Sequence, residues 1–137
     1  MEKKFKVEIY TPYEKYLLTD SDYLSVKTAM GVIGILPNHA PLVSTLEISK
    51  LTIKNDGKEM TFAISSGVIN IKKDHKVVLL VDSIESKDEI DVARALDSKK
   101  RAEERINDKD QAEIDIARAR ASLARALNRL EVSGNNK

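Results

Sequence analysis

Apolar and polar positions alternate through the first part of the chain. Phe5-Lys-Val-Glu-Ile9 and Leu24-Ser-Val-Lys27 put every second side chain on one face, the period-two pattern of a half-buried strand. Similar runs recur at 32–36, 48–53, 60–64, 68–71 and 77–81. Turn residues separate them at Tyr10-Thr-Pro12, Thr19-Asp-Ser-Asp22, Pro37-Asn38, Asn55-Asp-Gly57 and Lys72-Lys-Asp-His75. Asn55-Asp56-Gly57 between two alternating runs is the strongest hairpin signal, because Asp-Gly accepts positive φ at both turn positions. Short strands at nearly regular spacing, with no helix between them, predict an antiparallel sandwich or a small barrel.

The period changes near residue 86. Ser86-Lys-Asp-Glu89 has the spacing of a capping box and predicts a helix running from there to about Ile106. Asn107-Asp-Lys-Asp110 interrupts it, and a second helix is predicted from Gln111 to about Val132. So short a connection favours an antiparallel helical hairpin. On the second helix Ile116, Leu123 and Leu130 fall seven apart, and Ala112, Ala119 and Ala126 form a parallel series. Alanine buries little area, and at about 25 cal/mol per Å² it contributes far less than leucine. A seam of this kind is expected to be weakly held and able to detach or unfold.

Composition sharpens the same boundary. All six aromatics, all three Pro and four of the five Gly lie within residues 1–67, whereas all seven Arg follow residue 93. The chain therefore reads as α+β, with a β-rich domain over residues 1–86 and a two-helix domain over 87–137. With 137 residues, a single domain plus an appendage is expected. Lys+Arg 23 against Asp+Glu 22 gives no general reason to expect nucleic acid or an anionic membrane as the main partner. An Arg-tail nucleic-acid binder is further disfavoured because residues 87–137 carry eleven acids beside twelve bases. Without Cys there is no disulfide framework, thiolate metal site or thiol nucleophile. No stretch approaches the roughly 20 apolar residues of a membrane span, and the N-terminal residues do not form a secretion signal.

Motifs for catalysis are missing. The phosphate-cradling, dinucleotide-binding, zinc-protease and serine-hydrolase spacings do not occur, and the two histidines, His39 and His75, are far apart in sequence. Asp20-Ser-Asp22 begins like a calcium loop but lacks the Gly and distal Glu that complete one, so a turn is expected. His39 has no evident nucleophile or orienting partner, which assigns it a structural or interface role. No catalytic residue and no metal ligand is assigned.

The most distinctive segment is Gly31-Val-Ile-Gly-Ile-Leu-Pro-Asn-His-Ala-Pro-Leu-Val43. It resembles the Gly-x-x-Gly-Ile-x-Pro-x-His-x-Pro-Leu signature of the epsilon subunit of bacterial F-type ATP synthases. Val7-Glu-Ile-Tyr-Thr-Pro12, Ser65-Ser-Gly-Val-Ile-Asn-Ile71 and Val77-Val-Leu-Leu-Val-Asp82 resemble three of the family's strand motifs. Ile90-Asp-Val-Ala-Arg-Ala95, Lys100-Arg-Ala-Glu-Glu-Arg-Ile106 and Arg125-Ala-Leu-Asn-Arg-Leu130 resemble its helical motifs. An unrelated adaptor with a helical tail would share the periodicity but not these motifs in order.

The resemblance implies an N-terminal sandwich of about ten strands followed by a helical hairpin. It implies a non-catalytic subunit of the rotating central stalk, coupling ion transport to ATP synthesis and held peripherally at the cytoplasmic face of the bacterial plasma membrane. The implied partners are the gamma subunit, the ring of c subunits and, in the inhibitory state, the catalytic alpha and beta subunits. Arg118 and Arg120, on the basic end of the second helix, are the candidates for the inhibitory contact. The implied interface with the rest of the stalk includes His39 and Val32, the latter where many relatives carry Glu, so a polar contact to the c ring is replaced or lost. No cofactor is required. In some relatives ATP binds the hairpin as a regulatory ligand, and the matching positions are Glu85, Ile90, Asp91, Arg94, Arg101, Arg125 and Arg129. Guanidinium forks suit phosphate oxygens, and carboxylates accept from an adenine amino group or a hydroxyl.

Overall fold

The computed structural model describes residues 3–108 and 112–134. The chain divides into two compact units, residues 1–86 and 87–137. The first is a sandwich of ten strands: β1 (Phe5–Tyr10), β2 (Lys15–Ser21), β3 (Tyr23–Thr28), β4 (Gly31–Ile35), β5 (Leu42–Leu46), β6 (Ser49–Asn55), β7 (Lys58–Ile64), β8 (Gly67–Ile71), β9 (Lys76–Val81) and β10 (Ile84–Ser86). They hydrogen-bond in the order β10-β7-β6-β3-β5-β8-β9-β1-β2, with β4 attached to β3. β3 is shared, because Tyr23–Ser25 pair with β6 while Thr28 meets Leu46 of β5.

The sandwich is not wholly antiparallel as the pattern suggested. β1 runs parallel to β9, with Val7 opposite Val77 and Ile9 opposite Leu79, and antiparallel to β2 on its other side. A parallel pair cannot be closed by a tight turn and needs a long crossover. Here the crossover is the intervening body of the sandwich. Alternation then buries Phe5, Val7 and Ile9 from β1 against Ile69, Val77 and Leu79, each no more than 3% exposed. Leu24, Val26, Leu51 and Ile53 belong to the same core, and Tyr16 meets Phe62 edge-on at a centroid distance of 6.1 Å.

Three strands escaped the pattern. β2 has Leu17 and Leu18 adjacent rather than alternating, β5 follows directly on Pro41, and β10 is only three residues long. The Asp-Gly turn is found as expected: Asp56 and Gly57 take φ 52° and 80° between paired Asn55 and Lys58, the geometry of a two-residue hairpin turn. The Asp56 N–H donates to the Asp22 carboxylate at 3.0 Å, and Lys4 pairs with Asp56 at 2.7 Å. Asp20 approaches Lys6 at 3.9 Å. Both acids of the Asp20-Ser-Asp22 turn thus have structural partners. Gly67 is required by close packing, since a Cβ there would run into the Leu80 carbonyl oxygen and Val81 on β9.

The outward face of β5-β8-β9-β1-β2 departs from simple apolar-in, polar-out alternation. Register places Val43, Asn70, Val78, Glu8 and Leu18 in one row and Val68, Leu80 and Tyr10 in the next. Val43 is 66%, Leu80 54% and Leu18 56% exposed. Within this apolar face the Tyr10 hydroxyl donates to Glu8 at 2.7 Å, and Lys76 lies 3.5 Å from the same carboxylate. The hydrogen bond from Tyr10 lowers the Glu8 pKa below its ordinary value; desolvation opposes the shift, and the charges of Lys76 and Lys15 support it. The same hydrogen bond raises the Tyr10 pKa, with desolvation and the Glu8 charge adding to it.

In the second unit a single 3-10 turn, Lys87–Glu89, precedes α1 (Val92–Ile106), and α2 spans Glu113–Ser133. The α-helix does not start at Ser86. Ser86 pairs with Phe62 at the end of β10, so its backbone is extended and engaged in a ladder. Asp91 is the cap instead, its side chain accepting the Arg94 N–H at 3.1 Å. Asn107 closes α1 through its N–H to Glu103 and Arg105 carbonyls. Asp110 and the expected helix start at Gln111 lie outside the described residues; α2 begins two residues later, after an extended, exposed Ala112. Ala112 is therefore not part of the seam. The helices pack along one another, and the short link between them makes them antiparallel. Their fully buried positions are Ala95 and Ala102 on α1 and Ala119, Ala126, Leu130, Val132 and Asn128 on α2, while Ile116 and Leu123 are only half-buried.

Two predictions follow from this architecture. Small side chains dominate the α1–α2 seam, so native-state amide exchange is expected to be at least about tenfold faster in α1 and α2 than in β1, β8 and β9; equal protection would refute the weak seam. The Glu8 pKa is depressed, so its stabilising contribution is present above the unfolded-state pKa and is lost as pH falls through the folded value. The raised Tyr10 pKa works in the opposite sense, stabilising below the ordinary tyrosine value and fading as pH rises through the folded one. Tyr10→Phe is expected to move the Glu8 carboxyl titration upward in an NMR experiment. The stability gap between the wild type and this variant should narrow as Glu8 is protonated.

Candidate functional site

Three surfaces gather the residues singled out by sequence. The first is the tip of the β3–β4 hairpin. Thr28, fully buried, donates its hydroxyl to the Gly31 carbonyl at 2.9 Å and accepts the Met30 N–H at 3.1 Å, which pins the turn. The pinned turn holds Met30 and Val32 in solvent, 69% and 72% exposed. Val32 therefore does not pack within the chain, which leaves an apolar side chain presented outward. Two exposed apolar side chains so close together are suited to contact with another polypeptide.

The second surface is the outward face of β5-β8-β9-β1-β2, where Val43, Val68, Leu80 and Leu18 surround the Glu8–Tyr10–Lys76 group. Sequence reasoning overlooked it. Its signal was Val77-Val-Leu-Leu-Val81, a continuous apolar run where a strand with one wet face should alternate. His39 lies away from these rows, in the loop before β5. It is half-buried, and its Nδ1 is 2.7 Å from the Ala40 carbonyl, which accepts from it and fixes the ring.

The third surface is the helical unit. Asp91 and Arg94 are brought together, but through the cap: the carboxylate accepts the backbone N–H, and the Arg94 guanidinium has no ion-pair partner among the described residues. Ile90, just before the cap, is buried at 9% exposure. Arg101 pairs with Asp97 at 3.1 Å across one turn of α1, and Arg125 donates to the Ser122 hydroxyl at 3.3 Å on α2. Arg129 is half-buried and partnered, and Glu85, on β10, is also partnered. Arg118 is largely solvated, 3.9 Å from Asp115, and Arg120 is exposed with no ion pair among the described residues. Such surface pairs are worth little, about 0–1 kcal/mol, so these guanidinium groups can exchange them for a better acceptor at small cost. The basic surface of α2 therefore offers planar donors for carboxylate or phosphate. None of the three surfaces assembles a nucleophile with a base and an orienting group.

Comparison with known proteins accounts for this combination. The beta-sandwich domain described as "ATP synthase, Delta/Epsilon chain" matches residues 4–87, and the long alpha-helix domain of the same chain matches residues 88–134. The ATP synthase epsilon chain of Bacillus mycoides is 44% identical over 131 residues, covering 96% of this chain and 97% of the relative. That of Geotalea daltonii is 38% identical, covering 98% and 96%. Among solved structures, a chain of the Euglena gracilis mitochondrial ATP synthase assembly of OSCP, F1 and c-ring superposes with a TM-score of 0.74 at 18% identity, covering 98% of this chain and 80% of that one. A chain from the central stalk and c-ring of the Tetrahymena thermophila mitochondrial enzyme gives 0.61 at 15% identity, covering 96% and 98%; at these identities the likeness is one of fold. No helix among the described residues is long and apolar enough to cross a membrane. With both domains matched in order and bacterial epsilon chains similar along nearly its full length, the chain belongs to the epsilon-subunit family of F-type ATP synthases.

Proposed function

We propose that this chain is a non-catalytic subunit of the rotor, joining gamma to the c ring through its sandwich and restraining ATP hydrolysis through its helices. The observation that carries the reading is the apolar outward face centred on Leu80 and Val43, large hydrophobic side chains left in solvent on a sheet that already has a full core. A rotor contact must transmit torque without slipping, and the half-buried hydrogen bond of Tyr10 to Glu8 supplies a fixed polar point within such a face. In this reading gamma covers the face, and Met30 and Val32 meet the polar loops of the c ring. The assembly places the chain peripherally at the cytoplasmic face of the bacterial plasma membrane.

The hairpin is the regulatory arm. Its alanine seam makes alternative arrangements of α1 and α2 inexpensive, and a switch needs states separated by only a few kcal/mol. Arg118 and Arg120 are exposed on α2 and suited to bidentate contact with acidic surface on a catalytic subunit. ATP is proposed as the signal. Among the described residues the Arg94 guanidinium has no ion-pair partner, and Arg101 and Arg125 hold weak local partners. Asp91 retains acceptor capacity beside its cap bond. The site binds without hydrolysing, since no general base or phosphate-cradling loop accompanies these residues.

Hydrolysis by the parent complex reconstituted with the whole chain, with the chain ended after Ser86, or without it separates the two roles. The truncated form is expected to restore coupling while losing inhibition; a truncated form that inhibits as well as the whole chain would sink the regulatory assignment. Arg118→Glu with Arg120→Glu should relieve inhibition several-fold and leave coupling intact. Calorimetry of the full chain with ATP should show binding that Arg94→Ala weakens about tenfold or more, as expected for loss of a charge-assisted contact. Identical heats for the two proteins would remove ATP from the reading.

A further inference from the structure

A cavity of about 230 Å³ opens at the end of the sandwich that carries the β4–β5 loop and the β8–β9 turn. Its floor is made by core side chains, Phe5, Ile35, Ile71 and Val77. Its rim carries Lys72, Lys73, Lys76, His39 and His75, and no carboxylate among the described residues lines it. We propose that this cavity binds a small oxyanion bearing an apolar group, a phosphate monoester or a carboxylate with a hydrocarbon or aromatic substituent.

Unpaired lysines occur elsewhere among the described residues of the sandwich, Lys50 and Lys58 included, but at this cavity three lysines share one rim. Lys4, Lys6, Lys54 and Lys76 each have a carboxylate within 4 Å. Lys72 and Lys73 have none among the described residues. Asp74 of the same turn lines the adjoining recess with Lys4, Lys6 and Asp20 instead. Two unpaired ammonium groups beside a third, with the nearest turn carboxylate on another recess, leave a local excess of positive charge next to low-dielectric walls, where field is concentrated.

Left-handed turn residues flank the cavity. Asn38 and His75, one on each side, take φ 70° and 59°, and the remaining described non-glycine residue with positive φ is Asp56 in its hairpin turn. Left-handed backbone at non-glycine residues is sparsely populated and persists only when its surroundings hold it. Here the Lys6 N–H donates to the His75 carbonyl at 2.8 Å, the Lys72 N–H to the Lys76 carbonyl at 2.8 Å, and the His39 N–H to the Leu36 carbonyl at 3.2 Å. A bare inorganic anion would use the rim and leave the floor wet. An apolar substituent uses both, which is why the ligand class couples the two.

The test uses the full chain. Two-dimensional NMR titration with phenyl phosphate is expected to give saturable shifts confined to residues 36–41 and 71–77, with binding at least about fivefold tighter than orthophosphate or benzyl alcohol alone. Lys72→Gln with Lys73→Gln should weaken it about tenfold, while Lys50→Gln with Lys58→Gln, exposed lysines elsewhere on the sandwich, should change it less than about twofold. Shifts that scatter over surface lysines or fail to saturate overturn the site. So does a folded Lys72/Lys73 variant that binds as the wild type does, and equal affinity for orthophosphate overturns the ligand class. Flotation with phosphatidylcholine vesicles, with and without phosphatidic acid, separates the sources. Co-flotation abolished by the Lys72/Lys73 variant assigns the site to a lipid headgroup, and monoester binding without co-flotation assigns it to a soluble ligand.

Discussion

The structure depends on one strand laid between two others. β1 pairs antiparallel with β2 and parallel with β9, and it brings Phe5, Val7 and Ile9 into the core from the start of the unit. The parallel ladder with β9 is available only when residues far apart in sequence have come together, so this closure costs more loop entropy than any hairpin in the molecule. The surfaces of interest hang from it. Tyr10 and Glu8 stand on its outward side, Phe5 forms part of the cavity floor, and the Lys6 N–H holds the carbonyl of the left-handed His75. Displacing β1 would remove the apolar face and the basic cavity together.

The two units are stabilised by different means. Leu, Ile, Val and Phe fill the sandwich to full burial, and every strand but those at the edges has a neighbour on both sides. The helical unit relies on Ala95, Ala102, Ala119 and Ala126 with Leu130 and Val132. Alanines allow close approach of helix backbones but remove little apolar surface from water. A rigid body with a thinly buried appendage is the mechanical arrangement expected of a coupling element that carries a regulator. The proposed regulatory chemistry is polar and reversible: exposed Arg groups with weak local partners can exchange them at modest cost.

Legibility in the sequence followed the range of the interaction. Strands such as β1 and β3, the Asp56-Gly57 turn and the two helices were readable because alternation, turn chemistry and helix propensity act within a few residues. β2 and β5 were not, since adjacent leucines in one and a preceding proline in the other obscure the period. Ser86 has the local chemistry of a helix start, yet it ends β10 against Phe62 and only a single 3-10 turn follows, so α1 begins later with Asp91 as its cap. The candidate binding residues divide similarly. Arg94, Arg101 and Arg125 could be named from a short motif, whereas their actual partners, a cap, Asp97 and Ser122, required coordinates.

The sequence alone determined two regimes of structure, an α+β class and a positively charged end of α2, because these follow from composition and short-range periodicity. It also carried the ordered motifs through which the epsilon-subunit family is recognised. The tertiary structure decided that β1 runs parallel to β9, that Val32 points to solvent, and that Leu80 and Val43 share an outward face. It also brought Lys72 and Lys73 beside His39 over the floor of the core. Each of these depends on which distant strands become neighbours, and local preferences do not encode that pairing because its free energy is gained only once the whole sheet has closed.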